Sequence, residues 1–232
     1  MFWRYLRIVL VAGIPTGVLV GGVGSRLAMF VLRLTSEDSV RGLISDDGFT
    51  IGRFSLGDTY NLLQLGAAVG VIGALVYLVI RGWLLGPRWF RTVTIGLGGG
   101  AVVGSMLLHS DGVDFRVLSP RWLAMALFVA LPAFFAVVIG PAVELVERRS
   151  VPNGWKQFVA PALALAVGPS AVFALVVVAP ATLLYAAVRS AAVERVRGPV
   201  AIRLIVRAGW LSVAVLGLVA LVGDVRAISA LP

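Results

Sequence analysis

The chain has no cysteine, one histidine and little charge of any kind. Without cysteine there is no disulfide, no thiolate metal site and no cysteine nucleophile. Charged residues make up 13% of the 232 positions, about half the share of a soluble globular domain. Lysine is nearly missing too, with Lys156 the single one among 20 basic side chains. Enzyme signatures are equally scarce. There is no Walker loop, no HExxH, no Asp-rich phosphate-metal motif and no Gly-x-Ser-x-Gly elbow. No cofactor and no metal are expected. No enzyme is expected either.

What is present is apolar. Hydrophobic residues account for 59% of the chain and mean hydropathy is +1.00, a membrane composition. The formal charge of +9 is spread over short segments between apolar runs. That distribution follows the positive-inside rule and argues against a nucleic-acid partner. A helix needs about 20 apolar residues to cross about 30 Å of hydrocarbon. Six stretches approach this: 8–32, 61–80, 92–109, 122–143, 158–188 and 206–223. The expected fold is therefore an all-α, polytopic membrane bundle in one transmembrane domain, with five or six segments crossing. The first stretch follows Arg4 and Arg7 as a signal peptide would, but its length makes it a retained span. Trp3, Trp83, Trp89, Trp122, Trp155 and Trp210 fall near the proposed ends, where indoles prefer the headgroup level.

Arginine placement gives the orientation. Arg4, Arg7, Arg81, Arg88 and Arg91 put the N-terminus and the second connector in the cytoplasm of a cell with the protein in its plasma membrane. The acidic loop 34–60, with a hairpin expected around Asp47-Gly48, lies outside. Its acids lack the spacing of a calcium loop. Arg189, Arg195, Arg197, Arg203 and Arg207 then conflict with six crossings, because three full spans after Arg91 would carry them outside. Two readings stay open. Either 158–188 is re-entrant, turning at Gly168 and Pro169, or it crosses once as a tilted, kinked helix and the rule is broken.

Small residues recur every fourth position on three spans: Gly13, Gly17, Gly21 and Ser25; Gly66, Gly70 and Ala74; Gly96, Gly100 and Gly104. Lipid tails are as apolar as leucine, so helices associate in a bilayer through close packing, which such faces allow. The pattern predicts a tight N-terminal three-helix unit or an oligomer seam. Arg26 lies 19 residues from Arg7, about 28 Å of helix, and snorkels outward from there. The apolar turns beyond it, Leu27 to Leu32, then need cover from the outer loop or a partner. Arg33 shares a face with Arg26, and together they would make a positive mouth. Ser105 and His109 stand at i, i+4 spacing and offer the one arrangement with nucleophilic chemistry.

Gly21, Gly22 and Arg26 faintly resemble the opening of the small fluoride-channel family, in which a Gly-Gly pair precedes an arginine. The spacing differs, and span three lacks that family's Thr- and Ser-bearing pore stretch, so its function is not carried over. As a whole the chain resembles uncharacterised multi-pass membrane proteins of actinobacteria, a resemblance that implies no mechanism. The expected function is a small ion or solute permeation pathway, formed or supported in the lipid bilayer, with homo-oligomerisation or a membrane-protein partner. The alternatives are an accessory or assembly subunit with no pathway and, more distantly, an intramembrane hydrolase using Ser105 and His109.

Overall fold

The computed structural model describes residues 2–45, 48, 51, 55–84, 86–109, 112, 114–149, 176, 179–187 and 200–230, the side chains of 200–203, 205 and 206 excepted. Every regular element among them is helical. Five helices are long and apolar enough to cross a membrane.

The first is a continuous rod, Phe2–Thr35, made of α1 (Phe2–Thr16), a π-helical stretch (Gly17–Val23) and α2 (Gly24–Thr35). Pro15 lies inside α1 and has no N–H, so one rung of the α ladder is missing. The wider π winding begins two residues later. At 34 residues the rod is about 51 Å long, well beyond the expected 8–32. The second span, α3 (Leu56–Ile80), begins five residues before Asn61 because Ser55 caps it: its hydroxyl accepts from the Asp58 N–H at 3.3 Å. Helix α4 (Arg88–Leu107) starts after Pro87, and α6 (Arg121–Arg148) after Pro120. In both, the proline is the extended residue that caps the helix, where its missing N–H costs no helical hydrogen bond. A short helix, α5 (Asp114–Val117), precedes α6, and the last span is α7 (Val200–Ser229).

The small-residue faces set the packing. A Cβ built on Gly17 would lie 2.0 Å from the Gly66 carbonyl oxygen, and one on Gly70 would lie 2.1 Å from that of Gly13. The rod and α3 therefore meet backbone to backbone. The third glycine face goes elsewhere, and the expected three-helix unit does not form from it: Gly96 faces Val137, Gly100 faces Ala133 and Gly104 faces Val129, all on α6. The facing residues on α6, Val129, Ala133 and Val137, repeat at the same four-residue spacing, so their side chains fill the space that the glycines leave. Helix α7 leans on the other side of α4, with Gly217 against Val102.

Two apolar clusters mark the ends of the bundle. One, with Tyr5, Ile8, Val71, Leu78, Val143 and Ala186, gathers the start of α1 with the ends of α3 and α6. The other joins Leu32, Val40, Leu108, Phe115, Met125 and Ile228. The start of the rod and Ile228 thus sit at opposite ends. Arg207, at the foot of α7, donates to the Trp83 carbonyl at 3.3 Å, which places it at the N-terminal end with Arg4 and Arg81. Gly168 and Pro169, with most of 158–188, lie outside the described residues.

At the distal end, Ser36 ties the rod to α6. Its hydroxyl donates to the Ser119 carbonyl at 3.2 Å and accepts from the Ser119 N–H at 2.9 Å. The loop after it folds back on itself, Gly42 N–H donating to Ile51 O and Ile51 N–H to Leu43 O. Gly48, at φ +79°, donates its N–H to Ser45 O at 2.9 Å; Asp47, the other residue of the expected turn pair, lies outside the described residues.

Candidate functional site

The distal end carries a cleft of about 690 Å³. Its walls are Glu37, Ser39 and Val40 after the rod, Arg116 on α5, Arg121, Trp122 and Met125 at the start of α6, and Ser229 at the end of α7. The elements converge because Val40, Leu118, Met125 and Ile228 share one buried cluster beneath it. Two arginines and one glutamate line it, together with the serines Ser39, Ser119 and Ser229. Asp38 does not alter that balance, since Arg41 pairs with it at 2.5 Å. Within the cleft the Ser39 hydroxyl donates to the Glu37 carboxylate at 3.4 Å.

Of the expected charged mouth, Arg33 lies one turn before Glu37, half-buried, and its Nε is buried without a hydrogen-bond partner. Arg26, also half-buried, is two turns further down the rod. The apolar turns between them are covered on one face only: Leu32 is 2% exposed, while Leu27 is 60% and Phe30 52% exposed.

Ser105 and His109 are not brought together. Helix α4 ends at Leu107, so His109 falls outside it and the shared helix face is lost. The Ser105 hydroxyl donates to the Val102 carbonyl at 2.9 Å, a backbone contact one turn back. Among the described residues, no three His, Asp or Glu side chains converge as a metal ion requires.

The N-terminal end holds a network that the sequence reading missed. Helix α6 runs one turn past the expected Val143 and presents Glu144 and Glu147 at i, i+3 spacing. Glu147 accepts from both terminal nitrogens of Arg81 and lies 3.4 Å from Arg4. Glu144 accepts from the Tyr77 hydroxyl at 2.9 Å and pairs with Arg148 at 3.4 Å. One helix end thereby clasps the rod and α3. The hydrogen bond to Glu147 raises the Arg81 pKa above its ordinary value, against the opposing effect of burial. The available signal was the acid pair following an apolar run, which the positive-inside rule passes over because it counts bases. Tyr185 adds a further tie, donating to the Leu78 carbonyl at 3.1 Å and packing edge-on to Tyr5.

Compared with known proteins, the chain matches no family, no curated protein and no solved structure.

Proposed function

We propose that the protein forms or supports a permeation pathway for small ions or solutes in the cell membrane, without enzymatic activity, with its N-terminal end in the cytoplasm. The observation that carries this reading is the distal cleft, where Arg116 and Arg121 border about 690 Å³ of open space. Its charge favours anions entering from outside. The pathway does not run between the rod and α3, because the Gly17–Gly66 approach leaves no space there. It follows a different seam of the bundle, or one formed with further copies of the chain.

Purified protein in liposomes is expected to pass a small anion such as chloride faster than potassium. Replacing Arg116 and Arg121 together with glutamine should lower the anion flux about tenfold or more, since a cation in a partly dehydrated site is worth at least ~1.4 kcal/mol to a passing anion. The unfolding temperature should stay unchanged. A folded protein that passes no small ion or solute overturns the reading.

A second reading, an accessory or assembly subunit with no pathway, draws on the rod's excess length. The exposed Leu27, Phe30 and Leu34 continue an apolar face toward the rod's distal end, where a neighbouring subunit would cover it. Recovery of a stoichiometric foreign protein from native membranes in mild detergent favours this reading. A homo-oligomer favours the pathway.

A further inference from the structure

We propose that the connector between α3 and α4, with the foot of α7, binds the phosphodiester headgroup of an anionic phospholipid in the leaflet at the N-terminal end. Among the described residues at this end, Glu147 is taken by Arg81 and Arg4, and Glu144 by Arg148 and Tyr77. No acid occurs between Asp58 and Asp111 in the sequence. Arg88, Arg91 and Arg207 lie at or against this connector, and among the described residues no ion pair neutralises them.

Their placement is specific. Arg91 turns back to donate from Nε to the Gly86 carbonyl at 2.9 Å, and Arg207 donates from Nε to the Trp83 carbonyl at 3.3 Å. Both guanidiniums are thus held on one loop by a single nitrogen each. Arg88 is three residues before Arg91, on the same helical face and exposed. The loop is kept tight by Gly86, at φ +84°, where a Cβ would press on the Phe90 ring at 2.8 Å. Trp89, 68% exposed, and Phe90, 41% exposed, stand beside the cations. An indole with a cation at its side is suited to the headgroup level, where apolar ring and polar edge are both satisfied.

The charge selects the lipid. Phosphatidylcholine carries its own cation beside the phosphate, so three arginines gain little from it, whereas phosphatidylglycerol has a net negative charge to offer. Each arginine near such a surface strengthens binding about fivefold, so three together give on the order of a hundredfold preference.

The test uses the full chain in phosphatidylcholine bilayers with brominated phosphatidylglycerol added as a tryptophan quencher. Wild-type tryptophan fluorescence is expected to be quenched at a small mole fraction of the brominated anionic lipid, with brominated phosphatidylcholine far less effective. The triple variant Arg88→Gln/Arg91→Gln/Arg207→Gln should lose most of that preference, and the triple lysine variant should keep it within about threefold. The variant Arg148→Gln/Arg149→Gln, which removes charge from the same end but not from the loop, should match wild type. Equal quenching by the two lipids overturns the proposal. So does an equal loss in the Arg148/Arg149 variant, which would mean a diffuse surface charge, or displacement of the lipid by millimolar inorganic phosphate, which would make free phosphate the ligand. If the glutamine triple variant does not fold, loss of preference in the lysine variant decides against the site.

Discussion

Gly17→Ala is expected to prevent the bundle from assembling, whereas Gly98→Ala should leave it intact. The contrast is geometric. A Cβ at Gly17 would sit 2.0 Å from a backbone oxygen of α3 and 2.7 Å from the Gly70 Cα. Backbone has no rotamer to yield with, so the rod must move away from α3 along its length. Gly13, Gly66 and Gly70 lie on the same seam with clearances of 2.1–2.6 Å, so the displacement is shared by all of them. Crowding of this kind costs about 3 kcal/mol, the upper end of the range for overpacking, and in a bilayer no gain in hydrophobic burial offsets it. At Gly98 a Cβ meets nothing within 4 Å, and alanine's better helix propensity adds up to about 1 kcal/mol. Fluorescence-detected gel filtration across a temperature ramp in mild detergent separates the two. Gly17→Ala should aggregate or run as an expanded species, and Gly98→Ala should melt at or above wild type. Equal behaviour would mean that the two helices are not in backbone contact.

Glu147→Gln is expected to loosen the N-terminal end of the bundle. The substitution keeps the shape of the side chain but leaves Arg81 and Arg4 facing a neutral amide. Arg81 is mostly shielded, with 20% of its side chain exposed against 24% for Glu147, so the lost charge-assisted bonds are worth about 2 kcal/mol, above the value of an open surface pair. That corresponds to a fall of roughly 4–8 °C in melting temperature. Arg148→Gln should cost far less, since its bond to Glu144 is 3.4 Å long and its side chain 60% exposed. Exchanging the partners, Arg81→Glu with Glu147→Arg, should recover part of the loss. If the exchange is as damaging as the sum of its single changes, the pair does not join α3 to α6.

Periodicity and composition carried the architecture: apolar length marked the long helices, and four-residue spacing marked the residues that lie against another backbone. The same spacing did not say which face meets which. Gly96, Gly100 and Gly104 found Val129, Ala133 and Val137 on α6, residues that look unremarkable in an apolar run. Helix ends were misread where polar residues extend the helix beyond its greasy core, as Ser55 does before α3 and Glu144 and Glu147 do after Val143. The distal cleft was least legible. Arg116, Arg121, Glu37 and Ser229 come from four separate elements, and only the burial of Val40, Leu118, Met125 and Ile228 in one cluster brings them to a common rim. Ser105 and His109 illustrate the converse, a spacing that has meaning only while the helix lasts.

The central claim is that these helices cross a bilayer with the two ends of the described chain on opposite faces. Because the native sequence has no cysteine, single cysteines report without background. Placed at Ser39, Gly82, Arg149 and Ala230, all exposed, they should divide in intact cells treated with a membrane-impermeant maleimide. Ser39→Cys and Ala230→Cys should be labelled from outside, and Gly82→Cys and Arg149→Cys only after the membrane is opened. Labelling of Ala230→Cys together with Gly82→Cys, or recovery of the chain as a water-soluble monomer, would contradict the account.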